Sequence, residues 1–345
     1  MAYTTIDKPS SYFNTVTYTG TGSALSITGV GFQPDFTWIK CRSVITNHYF
    51  TDVVRGTNKV IYSNTTAAEA TTTNVVTAFN TDGFSLGTDA EINGSARTNV
   101  AWNWKANSTG VSNTSGTITS TVSANTTSGF SIVSYTGTGA NATVGHGLGV
   151  APRMIILKSR TDAAADWRVY HASVGNTVYL QLNATTATTT SSTTWQNTTP
   201  TSSVFSIGTS GTVNLNTGNF IAYCFAEVKG YSKFGSYTGN GSTDGTFVYT
   251  GFKPAMVLMK QSSAAGESWI LTDNKRSTFN AVNVRLFPNT TAVEATDSRP
   301  IDYVSNGFKM RTTDAQMNTS AATYIYMAFA ENPFVSSKGI PTTAR

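Results

Sequence analysis

Charged residues and cysteines are scarce in this sequence. Asp, Glu, Lys and Arg make up 12% of the 345 residues, about half the usual share, and Thr, Ser, Asn and Gly fill the polar positions. The two cysteines, Cys41 and Cys224, are too few for a framework of disulfide bonds, and we interpret both as small buried side chains. A neutral surface of short hydrogen-bonding side chains is typical of β-structure with many turns.

Long apolar runs and clusters of basic residues are also missing. No stretch approaches the roughly 18 apolar residues that a membrane span requires, and the N-terminus lacks the apolar segment of a secretory signal. The excess of 23 cations over 18 anions is small, and no run of Lys and Arg provides a surface for nucleic acid. We therefore expect folding in a cytoplasm, with neither membrane insertion nor nucleic acid as a partner.

Groups that catalyse reactions or bind metals are few. Of the three histidines, His146 lies in a glycine-rich turn, whereas His48 and His171 stand alone in strand-like segments. No His-x-x-x-His or Cys-x-x-Cys spacing is present. A glycosidase needs two carboxylates about 5 to 10 Å apart, and the sequence contains no evident pair, although folding can bring distant acids together. We predict no catalytic residue, no metal and no cofactor, and we expect that the protein is not an enzyme.

The sequence does contain one ten-residue pattern three times. The copies begin at Gly31, Gly149 and Gly251 and read Gly, two residues, Pro, one residue, Phe or Met, one residue, two apolar residues and Lys. A Tyr-Thr-Gly-x-Gly turn precedes each copy. An Asn-rich turn, a triplet with alternating apolar residues and a terminal apolar run follow it. Five markers in one order indicate a tandem array.

The spacing of the pattern divides the chain into three segments of about a hundred residues, near the usual size of a domain. We predict domains at residues 1–108, 109–229 and 230–345, the last with a short C-terminal tail, because these boundaries lie in polar stretches. The three segments are called unit one, unit two and unit three below. Each is long enough to bury its own core.

Apolar residues follow a period of two, and helical periodicity is almost absent. The repeated pattern predicts a turn at Gly with positive φ, then a strand apolar on both faces that lies inside a sheet. The closing lysine, Lys40, Lys158 or Lys260, is predicted to end this strand and reach water. The terminal run, as in Ala101 and Trp102, predicts a second interior strand with one small and one large face. Together these strands predict an all-β fold of three tandem antiparallel β-sandwiches of the jelly-roll, lectin-like type.

Two charged pairs recur at the same position of their units. Asp52 and Arg55 are three residues apart, and Asp273 and Arg276 repeat the arrangement. In unit two His171 takes the place of the aspartate, and no arginine follows it. We interpret these residues as a scaffold ion pair beside a turn rather than as a ligand site.

Aromatic rings beside short polar side chains are suited to weak contacts with sugars. Trp195 lies in a Thr-rich stretch at residues 185–199, which we predict to be an exposed loop, so this ring is expected to reach solvent first. Trp269, Trp167 and Tyr179 are the further candidates for glycan binding. The alternative is that these rings pack in cores or between domains.

Five segments of the chain are similar to segments of a known group of proteins. They are Asp-Phe-Thr-Trp-Ile-Lys at residues 35–40, a stretch ending Asp-Gly-Phe-Ser-Leu at 74–86, Val-Ala-Trp-Asn-Trp-Lys-Ala at 100–106, Gly-His-Gly-Leu-Gly-Val-Ala-Pro at 145–152, and Tyr-Ile-Tyr-Met-Ala-Phe-Ala-Glu-Asn-Pro at 324–333. They resemble repeated domains in virion structural and tail-fibre-like proteins of tailed phages, notably marine and cyanobacterial ones. The resemblance covers most of the chain. It implies domains similar to concanavalin A-like jelly rolls, no catalytic residues, and assembly into virions in the host cytoplasm.

Three functions remain open from the sequence. The repeat, the neutral surface and the resemblance favour a non-enzymatic tail fibre or appendage that contacts the host surface. Its partners would be other virion proteins and a host surface glycan, and a homotrimer would multiply weak glycan contacts by multivalent display. The first alternative is a capsid decoration or head-fibre protein. The second alternative is an enzyme that depolymerises glycans.

Overall fold

The structure is a computed structural model that describes residues 4–333, and most of these residues lie in antiparallel sheets. The helices are a 3-10 turn and three α-helices of four residues each: Pro9–Ser11, then α1 Ala90–Asn93, α2 Gly211–Asn214 and α3 Ala315–Asn318. The predicted all-β fold of antiparallel sandwiches is therefore confirmed. The predicted C-terminal tail, residues 334–345, lies outside the described residues.

Unit one forms two sheets. Its strands are β1 Phe13–Thr19, β2 Leu25–Ile27, β3 Phe36–Cys41, β4 His48–Asp52, β5 Lys59–Tyr62, β6 Ala70–Thr71, β7 Val76–Asn80, β8 Gly83–Leu86 and β9 Thr98–Trp104. The larger sheet has the order β1-β9-β3-β4-β5-β6, and the smaller has the order β2-β8-β7.

Unit two repeats this plan with two additional strands at the start. Its strands are β10 Val111–Asn113, β11 Ser120–Asn125, β12 Phe130–Thr136, β13 Ala142–Gly145, β14 Met154–Ser159, β15 Arg168–His171, β16 Gly175–Leu180, β17 Thr189–Thr190, β18 Val204–Ile207 and β19 Asn219–Phe225. The larger sheet has the order β10-β11-β12-β19-β14-β15-β16-β17, and β13 pairs with β18.

Unit three has two four-stranded sheets. Its strands are β20 Ser232–Thr238, β21 Phe247–Tyr249, β22 Phe252–Gln261, β23 Ile270–Asp273, β24 Val282–Arg285, β25 Ala295–Val304, β26 Gly307–Met310 and β27 Thr323–Pro333. The sheet β20-β27-β22-β23 corresponds to the larger sheets of units one and two, and the sheet β21-β26-β25-β24 corresponds to their smaller sheets. The two sheets of unit three are called larger and smaller on this correspondence, although both have four strands. No sheet among the described residues crosses a predicted unit boundary, and the boundaries themselves stay predictions.

The repeated pattern forms the central strand of each larger sheet. Gly31, Gly149 and Gly251 have positive φ values of 87°, 74° and 85°, as the pattern predicted, because glycine adopts this backbone region without strain. The strands that follow, β3, β14 and β22, each lie between the terminal-run strand and the next hairpin strand. In unit three Pro254 lies inside β22 at a shift of register, where its missing N–H costs the ladder little.

Each unit has an apolar core between its two sheets. In unit one this core contains Ile39 from β3, Ala101 from β9 and Phe84 from the smaller sheet. Equivalent cores lie in units two and three. The small face of the terminal run therefore packs against the second sheet of its own unit.

The large face of the terminal run packs elsewhere, in a fourth core that all three units share. The ring centroid of Trp104 lies 6.2 Å from that of Phe225 and 5.7 Å from that of Phe329, and the two phenylalanines are 6.1 Å apart. Phe36 of unit one also stacks on Tyr223 of unit two at 4.3 Å. The larger sheet of each unit is therefore covered on both faces, once by its own unit and once by its neighbours.

Candidate functional site

Contacts between the units close a ring. Three equivalent backbone hydrogen bonds join neighbouring units. In each, the donor lies at the end of an Asn-rich region, and the acceptor lies in the next unit, two positions after the lysine that closes the ten-residue pattern. The donors and acceptors are Glu69 N to Arg160 O at 2.9 Å, Thr188 N to Ser262 O at 3.1 Å, and Glu294 N to Arg42 O at 2.9 Å. Unit one therefore contacts unit two, unit two contacts unit three, and unit three contacts unit one.

The joint between units one and two contains a buried charge network. Asp52 and Arg55 have no exposed side-chain surface, and Arg55 Nε lies 2.5 Å from Asp52 Oδ2. The hydroxyl of Tyr223, from unit two, donates to the same oxygen at 2.8 Å. Glu69 of unit one accepts from Arg160 Nε of unit two at 2.9 Å. The predicted scaffold ion pair is confirmed, and it also serves the joint between two units.

The joint between units three and one repeats this network. Arg276 Nε lies 2.6 Å from Asp273 Oδ2, and both side chains are fully buried. The indole Nε1 of Trp102, from unit one, donates to Asp273 Oδ2 at 3.1 Å. Glu294 of unit three pairs with Arg42 Nη2 of unit one at 2.7 Å. Two of the three joints therefore use charge-assisted hydrogen bonds, which are stronger than neutral ones.

The joint between units two and three lacks these charges. His171 occupies the place of the aspartate, and its ring is buried, which lowers its pKa to about 4. The Nδ1 atom accepts a hydrogen bond from Ser173 N, so the hydrogen lies on Nε2, which donates to the carbonyl oxygen of Tyr326 in unit three at 3.1 Å. A neutral imidazole therefore replaces the ion pair at this joint.

The arginines that complete the charged joints were not predicted from the sequence. Arg42 and Arg160 stand at equivalent positions of units one and two, and unit three has Ser262 there. The turn that faces each arginine ends in a glutamate, whereas the turn that faces Ser262 has Thr188 in that place. An arginine at one position thus accompanies a glutamate at the other, and both are missing together at the third joint. This pairing of residue types was the sequence signal for the contacts between units.

The prediction that Lys40, Lys158 and Lys260 reach water is wrong. All three side chains are fully buried, because the neighbouring unit covers the end of each central strand. Lys40 Nζ donates to the carbonyl oxygen of Thr291 in unit three at 3.3 Å, and Lys260 Nζ donates to that of Thr185 in unit two at 3.4 Å. Lys158 Nζ donates to carbonyl oxygens within its own unit.

These lysines are buried without a carboxylate bonded directly to the amine, as far as the structure describes the chain. Among the described residues none of the three forms an ion pair with a carboxylate, and their partners are hydroxyl and carbonyl oxygens. Burial lowers the pKa of each amine to about 8, because a charged group is less stable away from water.

The expectation that Trp195 is exposed is also wrong. Its indole is 2% exposed and belongs to the core of unit two, where its ring lies 6.0 Å from that of Tyr170 in an edge contact. The stretch at residues 185–199 is not one exposed loop, since Thr185 and Thr188 bond to unit three and Thr189–Thr190 forms β17. A buried indole offers no face to a sugar.

The other glycan candidates are covered in different ways. Trp167 and Trp269 are buried in the shared core, and their Nε1 atoms donate to carbonyl oxygens of Tyr62 and Gln181 in the preceding units at 2.9 and 2.8 Å. The fourth candidate, Tyr179, is half-buried under the guanidinium of Arg168 at 4.2 Å. The two tryptophans thus belong to the joints, in agreement with the alternative of packing between domains.

The remaining residues singled out in the sequence have structural positions. Cys41 and Cys224 are buried and free, as predicted. His146 lies in its predicted turn, where Nδ1 accepts from Leu148 N, and burial lowers its pKa. Among residues 4–333 no group of three or more His, Cys, Asp and Glu side chains is arranged to hold a metal ion.

None of the helices that the structure describes is both long and apolar enough to cross a membrane.

Two open clefts lie at equivalent places in units two and three, beside the start of the central strand. The cleft in unit three has a volume of about 430 Å³ and is lined by Lys253, Asn274, Phe279 and Glu331, among others. The cleft in unit two has a volume of about 260 Å³. These clefts leave polar groups open to solvent, whereas the aspartate–arginine pairs at two of the joints are fully buried.

Comparison with known proteins identifies one family. A family model described as "Domain of unknown function (DUF7483)" matches residues 8–333. The match spans all three copies of the ten-residue pattern and the joints between the units. No curated protein matches the chain.

Proposed function

The chain belongs to the DUF7483 family, and we propose that it is a non-enzymatic structural protein of a bacteriophage particle, in a tail fibre or similar appendage that contacts the host surface. The closed ring of units around a shared core carries the structural, non-enzymatic part of this proposal, because it holds the three units as one rigid body. The resemblance of five segments to tail-fibre-like virion proteins supports the kind of particle.

The residues that carry charge support a structural role. Asp52, Asp273, Glu69 and Glu294 are bound by arginines at the joints. Groups held in such networks stabilise one arrangement of the units, and they are not free to transfer protons to a substrate. A body fixed in this way transmits force and presents its outer sheets in a constant arrangement.

The proposed partners are other virion proteins and a glycan on the host surface. Each unit turns its smaller sheet away from the shared core, so the body has three outward lobes. Homotrimers of such a body would display nine lobes, since three copies of three units are present. Repeated display converts weak contacts into useful avidity.

A second candidate is a capsid decoration or head-fibre protein. The observation that favours it is the ring itself, because three units packed around one core form a rounded body rather than an extended fibre. Decoration proteins need a stable, self-contained body that binds a lattice. The two candidates differ only in the location on the particle.

Purified phage particles provide the test. Particles separated from lysate proteins on a density gradient should contain the chain in a fixed ratio to the major capsid protein. Labelling with an antibody to the chain, followed by electron microscopy, should place it on tail appendages. Label on the capsid would favour the decoration protein, and absence of the chain from purified particles would reject both.

An assay for polysaccharide cleavage tests the alternative that the chain is an enzyme that depolymerises glycans. Host envelope polysaccharide incubated with the purified chain should release no oligosaccharide above the level of a heat-denatured sample. Release that disappears on substitution of one or two carboxylates would overturn the non-enzymatic proposal.

A further inference from the structure

A recess beside the cleft of unit three is lined by residues of both unit three and unit one. The recess has a volume of about 60 Å³ and shares Asn274 and Glu331 with the cleft. Its opposite wall contains Phe13 and Thr15 from β1 of unit one. The cleft and the recess are therefore neighbours at the joint between units three and one, and together they are called the depression.

Two buried oxygen atoms in this depression have no hydrogen-bond partner among the described residues. They are Thr15 Oγ1 and Asn274 Oδ1, and the Thr15 side chain belongs to a residue that is 2% exposed. A buried acceptor without a partner destabilises the structure, because it has given up its hydrogen bonds to water. A ligand that donates hydrogen bonds into the recess would remove this destabilisation.

The charges in the cleft compensate each other, and the recess adds one cation, Lys275. Lys253 Nζ lies 2.7 Å from Glu331 Oε2, and the two side chains are 22% and 34% exposed. The pair supplies a donor and an acceptor while adding no net charge. It therefore favours a neutral polar ligand over a phosphate or a metal cation.

An aromatic ring stands at the rim. Phe279 is 84% exposed, more than any other large apolar side chain that the structure describes, and it lines the cleft. An exposed ring beside polar groups offers an apolar face for stacking. Leaving it in water costs free energy that a bound ligand recovers.

We propose that this depression is a saccharide-binding site. A sugar ring combines an apolar C–H face with hydroxyl groups that both donate and accept hydrogen bonds. Its C–H face would stack on Phe279, its hydroxyls would donate to Asn274 Oδ1 and Glu331, and Lys253 would donate to a ring or hydroxyl oxygen. This inference rests on the proposed contact with a host surface glycan and locates that contact in unit three.

The cleft of unit two provides a natural comparison. Ala172 occupies the position of Asn274 there, since it follows His171 as Asn274 follows Asp273. Its one aromatic side chain, Tyr170, is 2% exposed. The unit-two cleft therefore lacks both the buried amide oxygen and the exposed ring, and we expect it not to bind sugars.

Saturation-transfer difference NMR on the full chain tests the site. The probes are glucose, galactose, mannose, rhamnose and N-acetylglucosamine at millimolar concentration, followed by polysaccharide purified from the host envelope. At least one probe should receive saturation from the protein. The variants Phe279→Ala and Asn274→Ala should each weaken its binding about tenfold, whereas Asn176→Ala, in the unit-two cleft, should leave it unchanged.

Because Phe279 is exposed and Asn274 is half-buried, both variants should keep the wild-type circular dichroism spectrum. The inference is overturned if no probe binds, if binding survives both substitutions, or if Asn176→Ala abolishes it. These outcomes are independent of the particle test, because a chain found on purified particles without a saccharide site would retain the proposed function and lose only this inference.

Discussion

The hydroxyl of Tyr223 donates a hydrogen bond of 2.8 Å to Asp52 Oδ2, which lies 171 positions earlier in the chain. The same separation of 171 positions joins Trp102 Nε1 to Asp273 Oδ2. Equivalent places of the terminal run therefore supply a donor to the buried aspartate of the neighbouring unit, once from a phenol and once from an indole. The donor groups at the two joints differ chemically, but each supplies a hydrogen bond to a buried aspartate.

Removal of the phenol should destabilise the whole chain. In Tyr223→Phe the buried Asp52 loses one donor, which we expect to lower the free energy of unfolding by about 1 to 2 kcal/mol. Urea denaturation followed by circular dichroism measures this change. Tyr249→Phe is the matched control, since Tyr249 is exposed, and a loss of the same size in the control would contradict the assignment.

Removal of the buried arginine should have a larger effect. Arg276→Met leaves Asp273 without its cation, and the loss of one partner of a buried pair costs about 3 to 5 kcal/mol. Arg311→Met removes a cation that is 44% exposed and pairs with exposed Asp244, so it should cost under about 1 kcal/mol. Equal midpoints for the two variants in thermal denaturation would speak against the buried network.

The shared core should make unfolding a single event. Independent sandwiches would unfold separately, giving a calorimetric enthalpy several times the van't Hoff enthalpy. Because Trp104, Phe225 and Phe329 meet in one core, we expect the ratio of the two enthalpies in differential scanning calorimetry to be near one. Separate transitions for the units would show that the shared core contributes little to stability.

The buried lysines should give the protein a characteristic response to pH. Burial lowers the pKa of Lys260 from 10.5 to about 8, so between these values the unfolded chain holds more protons than the folded chain. The contribution of Lys260 to the free energy of unfolding therefore rises as the pH increases from about 8 to 10.5. Lys260→Met removes the effect.

The measurement compares wild type and Lys260→Met in urea at pH 7 and at pH 10. From pH 7 to pH 10, the free energy of unfolding of the wild type should rise by up to about 3 kcal/mol more than that of the variant. Lys229→Met is the control, because Lys229 is exposed, and it should follow the wild type. Parallel profiles for Lys260→Met and wild type would refute the lowered pKa.

Much of the fold was accessible from local sequence patterns. The period of two, the glycine with positive φ and the two-faced central strand depend on residues close together in the chain, and each was predicted correctly. The ion pair of Asp52 and Arg55 was also predicted, since a spacing of three residues at a turn brings the side chains together. These features need no knowledge of the neighbouring units.

The features that depend on neighbouring units were not predicted. The large face of Trp102 and Trp104 has the same sequence pattern whether it meets its own unit or another one, so the shared core left no separate signal. Lys40 was expected to reach water because the strand ends there, but a turn from unit three covers it. Trp195 lies among polar threonines, and composition does not reveal which way a side chain packs.

The closed ring also has a consequence for how such a protein can evolve. A linear solenoid gains or loses repeats at its ends, because each repeat contacts only its neighbours. Here the contact of unit three with unit one leaves no end to extend. A duplicated fourth unit would have to open the joint at Arg42 and Glu294 and widen the central core, so the copy number is fixed by geometry, and divergence has to proceed within units rather than by their addition.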